Sequence, residues 1–227
     1  MKFNKIAALA LLACASFTSC LKSEYRVSGY VWFADVIDET HLRADGNITY
    51  NIVENATDAD FAKCGRLIIN CDLLTAADAD GRQDIKLNAY SEIKVKDCVS
   101  SESEAVAGFG RDSVYIAENG RIWTTNGENQ YMTLFVSVPK IKDSETVHDL
   151  ELVFDKTSDA NEIRFILYHD ANGDVITKET PDDKKSSDNF YISFPIQNYL
   201  KEIKVTNSTR FSFTTAFDQD KGKSENE

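Results

Sequence analysis

Histidine is scarce in this chain. There are three, His41, His148 and His169, and no two lie near each other in sequence. No HExxH exists, nor any histidine pair at helical spacing, which removes the motif-based routes to a zinc hydrolase. The cysteines show no CxxC spacing, so a zinc ribbon or a thiol redox motif is excluded as well. GxSxG, phosphate-loop and GxGxxG patterns are absent, and Gly108-Phe109-Gly110 is too short to cradle a phosphate. Positive charge is in deficit: 25 Lys and Arg stand against 37 Asp and Glu, a net charge of −12. That balance argues against nucleic acid or anionic lipid headgroups as partners and for plain solubility. With carboxylates so abundant, a pair of them carries no signal for a glycosidase.

Only one long apolar run exists, and it opens the chain. Lys2 and Lys5 precede Ile6 to Phe17, and Thr18-Ser19 lead into Cys20. This is the layout of a secretory signal peptide, residues 1–19, too short to serve as a stable bilayer span. A Cys after two small residues resembles a lipobox, in which Cys20 is acylated and becomes the first mature residue. Phe17 stands where the pattern has Leu, Val or Ile. Cys14, after Leu11-Leu12-Ala13, is a second candidate, but it would leave a very short apolar core. Cys20 is preferred, with residues 20–24 as a tether. The expected location is the outer membrane of a cell envelope, held by the lipid on Cys20, with the facing of the protein open.

The remainder reads as all-β. Hydrophobic residues make up 42% of the chain, with 13 Phe and 9 Tyr, enough for a real core. Val27, Tyr30, Val31, Trp32, Phe33 and Val36 form the first strand signal, broken at Gly29 as by a bulge. Asp35 to Asn47 reads as loop, and Ile48 to Val53 and Arg66 to Leu74 as strands. Asp80-Gly81 marks a hairpin turn before the alternating Ile85, Leu87 and Ala89, then Ile93 and Val95. Val99 to Arg111, rich in Ser, Glu, Gly and Ala, reads as a flexible linker. Beyond it, Asn119-Gly120 signals a hairpin, and Pro139 is expected to end the strand that begins at Tyr131. Leu150 to Phe154, Ile163 to Leu167, Phe190 to Ile196, Ile203 with Val205, and Phe211 to Phe217 alternate as strands. Asn172-Gly173 is expected to turn the chain back into Val175 and Ile176, and Lys178 to Asp188 reads as loop. The expected domains are residues 25–98 and 112–218, joined by 99–111, with a disordered tail at 219–227.

The order of these features resembles the NigD-like family of Bacteroidota lipoproteins. The resemblance rests on the Ser19-Cys20 signal, YSEIKVKD (Tyr90 to Asp97), LELVFD (Leu150 to Asp155), FILYHDANGD (Phe165 to Asp174) and YISFPIQNYL (Tyr191 to Leu200). It implies an OB-like N-terminal barrel followed by an immunoglobulin-like β-sandwich, and an association with bacteriocin immunity. It transfers no catalytic residue. The chain departs from the pattern in its longer segment Tyr25 to Lys63 and in its extra cysteines.

Few side chains suggest chemistry. Asp170, Asn172 and Asp174, and likewise Asp78, Asp80 and Asp84, space oxygens two apart around a Gly as calcium loops do, yet neither completes the EF-hand pattern. Ser113 sits in an Asp-Ser-Val motif of the kind used for bacterial O-glycosylation. Trp32 and Trp123 are the only tryptophans, and each reads either as a sugar platform or as packing. Cys64, Cys71 and Cys98 leave one thiol unpaired whatever the pairing. The expectation is a non-enzymatic interaction module with no cofactor, engaging a protein partner and no nucleic acid; the alternatives are a glycan-binding accessory lipoprotein and, behind it, a hydrolase whose site has no recognisable motif.

Overall fold

In the first strand apolar and aromatic side chains fall on both faces, and the fold uses both. The computed structural model describes residues 26–57, 60–127 and 129–219. The signal 1–19, Cys20, the tether 20–24 and tail residues 220–227 lie outside the described residues. Strands β1 (Val27–Val36), β2 (His41–Ala44), β3 (Ile48–Asn55), β4 (Arg66–Leu73) and β5 (Arg82–Glu92) close a barrel in the order β1-β2-β3-β5-β4. β3 runs parallel to β5 and β1 antiparallel to β4, the pairing of an OB-like barrel. Ala34, Leu67, Ile69, Cys71, Ile85 and Leu87 alternate inward to fill it. Phe61, from the 3-10 turn Phe61–Lys63, is buried against the same core, edge-on to Tyr90 at 5.6 Å. Gly29, at φ 68°, carries the register shift between Val27 and Tyr30.

The second unit is a sandwich of two four-stranded sheets. One has the order β13-β11-β10-β7 and the other β6-β12-β9-β8. Their strands are β6 (Lys94–Val95), β7 (Cys98–Ser100), β8 (Tyr115–Asn126), β9 (Asn129–Ile141), β10 (Asp149–Phe154), β11 (Glu162–Asp170), β12 (Lys185–Pro195) and β13 (Arg210–Thr215). Antiparallel centres carry parallel edge strands: β7 on β10, β13 on β11, and β6 on β12. Met132, Leu134 and Val136 of β9 face Leu152, Phe165 and Leu167 across the core. The four-residue helix α1 (Gln197–Leu200) buries Leu200 in this core.

Several strand boundaries differ from expectation, each for a physical reason. Residues 99–111 are not a loose linker. Val99 and Ser100 pair with Val153 and Phe154, and the 3-10 turn Glu104–Gly108 brings Val106 and Phe109 onto Val153 and Tyr168. The small residues there serve close approach: a Cβ on Gly110 would stand 2.5 Å from the Cα of Asp170. The sandwich therefore begins at Lys94, within the span 25–98 assigned to the barrel. Asn119-Gly120 is no hairpin either. β8 runs through it, irregular between Ile116 and Arg121, because a glycine there makes room for Phe135 of β9. The turn falls instead after Asn126, which pairs with Asn129, and Gly127 within it has φ 63°. β9 passes Pro139, which pairs with Ser187. β1 and β2 occupy much of the expected loop at 35–47, and β12 begins inside the expected loop at 178–188. Val175-Ile176 and Ile203 to Val205 are not strands.

The two units meet through a buried charge. The outer face of β1 and β4 lies against the outer face of sheet β6-β12-β9-β8. There Phe33 packs edge-on to Tyr191 at 5.3 Å, and Tyr191 packs on Phe135. Arg66, 1% exposed, lies between them. Its guanidinium donates to Asp35 at 2.8 Å, to both Asp45 oxygens at 2.9 and 2.5 Å, and to Ser193 Oγ at 3.1 Å. It also stacks 4.0 Å from the ring centroid of Tyr131. Burial pushes the Asp35 carboxyl above its ordinary value, although Arg66 pulls it the other way. Removing Arg66 leaves Asp45 buried without a counter-charge, so Arg66→Ala is expected to cost about 3–5 kcal/mol. Urea unfolding measures it; a loss no larger than that of an ordinary surface substitution would refute a central role for this ion pair.

Candidate functional site

The β2–β3 turn and the last residues of β8 meet at the junction and form a groove. Gly46 N–H donates to Thr125 O at 2.8 Å, and Gly127 N–H donates to Asn47 Oδ1 at 2.5 Å. Asn126 Nδ2 donates to Arg43 O at 2.7 Å. Beside these bonds lies an open groove of about 370 Å³ lined by Trp32, Asp45, Gly46, Trp123, Thr124 and Thr125. Both tryptophans of the chain thus converge on one groove, one from each unit. Trp32 is fixed by its indole N–H, which donates to Asp45 O at 2.9 Å. Trp123 is 39% exposed and rests on Phe211, ring centroids 5.1 Å apart. Thr124 Oγ1, Asn126 Oδ1 and Gln130 Oε1 are buried without a hydrogen-bond partner, and all three belong to the β8–β9 hairpin.

At one end of the sandwich the structure joins two histidines that the sequence keeps apart. His148 and His169 stack with centroids 5.1 Å apart, and His148 Nδ1 lies 2.9 Å from His169 Nε2. His169 Nδ1 is 2.8 Å from the carbonyl of Ser113, and His148 Nε2 is 3.1 Å from Asp174 Oδ2. A carbonyl only accepts, so His169 carries its proton on Nδ1 and takes a hydrogen bond on Nε2. His148 must then donate from Nδ1, and it holds the Asp174 carboxylate as well only when Nε2 is also protonated. Burial keeps His169 below its ordinary pKa, against the pull of the Ser113 carbonyl, with His148 adding to the depression. Burial opposes the charge on Asp174, but hydrogen bonds from Ile141 N–H, His148 and Ser144 together outweigh it and bring that carboxyl below its usual range. Ser113 contributes its backbone carbonyl, and the Ser144 hydroxyl joins the chain at the Asp174 carboxylate. The network resembles a catalytic relay in form and acts as a rivet between loops.

The predicted site residues fall as follows. Asp170 Oδ1 accepts from Asn172 N–H at 2.8 Å, Asn172 Nδ2 donates to Val147 O at 2.7 Å, and Asp174 is held by His148 and Ile141. Asn172 and Gly173 have φ 50° and 88°, so this calcium-like spacing is the signature of a tight left-handed turn. Asp78 accepts from the N–H groups of Asp80 and Arg82, and Asp84 accepts from Asn51, which gives the second stretch the same reading. Among the described residues no group of three or more His, Cys, Asp or Glu is arranged to hold a metal ion. Ser113 is half-buried, and its neighbour Asp112 accepts from Ala171 N–H at 2.8 Å. Cys64, Cys71 and Cys98 are free thiols. Burial pushes Cys71 up to about 11 and Cys98 up to about 12, so both act as small hydrophobes. Cys20 lies outside the described residues. Neither the tryptophan groove nor the histidine pair had a local signal, because each joins residues from distant strands.

Comparison with known proteins agrees with the fold. A family model described as the NigD-like C-terminal beta sandwich domain matches residues 97–223. No curated protein matches the chain. Among solved structures, a NigD-like immunity protein of Bacteroides caccae is similar at 16% identity and TM-score 0.52, covering 83% of this chain and 86% of its own. A toxin-related protein of Parabacteroides distasonis is similar at 16% identity and TM-score 0.53, covering 87% and 98%. A protein of unknown function from Bacteroides vulgatus gives 16% and 0.53, covering 74% and 76%. At such identity these likenesses speak for the fold alone.

The histidine rivet yields a pH prediction. Both His169 and Asp174 have folded-state pKa values below their ordinary ones. Their contribution is therefore present above those ordinary values and is lost as pH falls. Between about pH 7 and pH 5 the wild-type melting temperature should drop, and His169 should account for part of that slope. His169→Gln, which cannot gain the charge, is expected to be less stable at neutral pH but to lose less on acidification. Thermal unfolding across that range checks it, and parallel slopes for the two proteins would sink the assignment.

Proposed function

This chain belongs to the NigD-like family, and on that premise we propose that it is a non-enzymatic envelope lipoprotein that engages a protein partner through the outer face of its barrel. The observation that carries the reading is a patch on β1, β4 and β5. Val31, 50% exposed, stands beside Ile68, Asn70, Ala89 and Ser91 over a shallow depression of about 150 Å³. No charged side chain lines it, in a chain where 27% of residues are charged. A depression this small does not enclose a small ligand, for which about 300 Å³ or more is usual. A flat uncharged patch suits the core of a protein interface instead. The similarity to an immunity protein and to a toxin-related protein favours a partner of that kind. The polar networks point the same way: Arg66 and the histidine pair are spent on internal bonds.

The lipid on Cys20 would bring this surface to the membrane, with the outer membrane as the expected location. Cys20→Ala should move the protein from the membrane fraction to the soluble one, and continued membrane partition would place the anchor elsewhere. A photo-crosslinking residue placed at position 31 in the native envelope should give one discrete adduct that the same residue at position 204 does not. Val31→Asp, introduced beside a crosslinker at position 91, should abolish the adduct. Adducts equal at both sites would overturn the reading.

A further inference from the structure

We propose that the groove between Trp32 and Trp123 is a binding site for a saccharide, separate from the protein-binding patch on the barrel. Three observations converge. First, the chain has two tryptophans, and they come from different units to line one cavity. Indole faces are apolar and flat, and the axial C–H face of a pyranose packs on them while its hydroxyls point sideways. Second, the cavity volume of about 370 Å³ lies within the range of small-ligand sites and suits one or two sugar rings. Third, the lining sets beside these indoles two threonines, of which Thr125 is exposed, and a threonine hydroxyl both donates to and accepts from a sugar hydroxyl.

The lining also discriminates against other ligand classes. It contains no Lys or Arg, and the guanidinium of Arg66, which grips Asp45, is taken up by Asp35, Asp45 and Ser193. An anion such as phosphate would find no counter-charge in this lining. A purely apolar ligand would leave the hydroxyl of the exposed Thr125 unanswered. A neutral polyol with one apolar face meets both conditions. Gly46, at φ 90°, has no heavy atom within 4 Å of its would-be Cβ, so the floor beside the β2–β3 turn is open. Trp32 is the fixed wall, pinned through its N–H to Asp45 O, and Trp123 is the exposed one.

The two tryptophans make the test direct, because all indole emission comes from this groove. Full-length protein lacking only the signal is titrated with soluble tetrasaccharides of glucose, mannose, xylose and N-acetylglucosamine. At least one is expected to shift or quench the emission and to give a matching calorimetric heat. Trp123→Ala should weaken that binding roughly tenfold or more, and Trp123→Phe should keep part of it. Val31→Asp, on the barrel patch, should leave saccharide affinity unchanged, so failure of the protein-partner reading is distinguishable from failure of this one. Thermal unfolding confirms that each variant is folded. Absence of any change for every saccharide up to millimolar concentration overturns the proposal, as does a Trp123→Ala protein that binds as tightly as wild type.

Discussion

A single buried guanidinium sets the geometry of this molecule. Arg66 stands at the start of β4 on the outer face of the barrel, where an isolated barrel would leave it in water. In the assembled chain it is sealed between two carboxylates, a serine and a tyrosine ring from both units. Desolvating such a charge is expensive, and the gain from pairing repays it only when geometry is good. Here Nη1 and Nη2 reach Asp45 as a fork, and Nε reaches across to Ser193, whose hydroxyl meets Thr133 at 2.7 Å. Sliding one unit over the other by a residue would strand at least one of these groups. The apolar contacts around it, Phe33 with Tyr191 and Tyr191 with Phe135, tolerate more movement than the ionic ones. The ion pair therefore contributes specificity of orientation more than net stability.

This constraint explains what the sequence could and could not disclose. Period-two alternation made the long strands legible, because Leu150 to Phe154, Ile163 to Leu167 and Phe190 to Phe194 each have one face in the sandwich core. The first strand, with Trp32 and Ala34 inward and Phe33 and Asp35 outward, was legible as a strand but not as a junction. Nothing local tells which of its faces meets a second domain. The short edge strands β6 and β7 were invisible for another reason. Runs of two and three residues have no periodicity, and they exist only because β12 and β10 offer parallel edges to them.

Glycine misled twice in the same way. In VSSESEAVAGFGR, and again at Asn119-Gly120, small residues suggested flexibility or a turn. Both places are tightly packed, one against Asp170 and the other against Phe135. Glycine permits close approach as readily as it permits φ above zero, and composition cannot separate the two uses. The Asp-Asn-Asp spacing of 170–174 was misleading in the opposite sense. Its oxygens were recognised as convergent, but they converge on backbone N–H groups and a histidine. The histidine pair had no signal, since His148 precedes β10 and His169 is next to last in β11, and only the antiparallel pairing of those strands brings them together.

Fold and family define the scaffold and leave function to its sites. The tryptophan groove depends on the scaffold in a specific way. Trp32 belongs to the barrel and Trp123 to the sandwich, so neither unit alone contains the site. The wall between them is the β2–β3 turn, and its Asp45 also grips Arg66. The carbonyl of that same residue pins the indole of Trp32. One residue thus fixes the orientation of the two units through its carboxylate and the position of an aromatic wall through its backbone. The unsatisfied oxygens of the hairpin belong to the sandwich side of the same junction, where the Asn126 amide also reaches Arg43 O and Asp45. Among the described residues, the buried side-chain atoms left without a hydrogen-bond partner all lie on this hairpin, which is part of the seam between the two units.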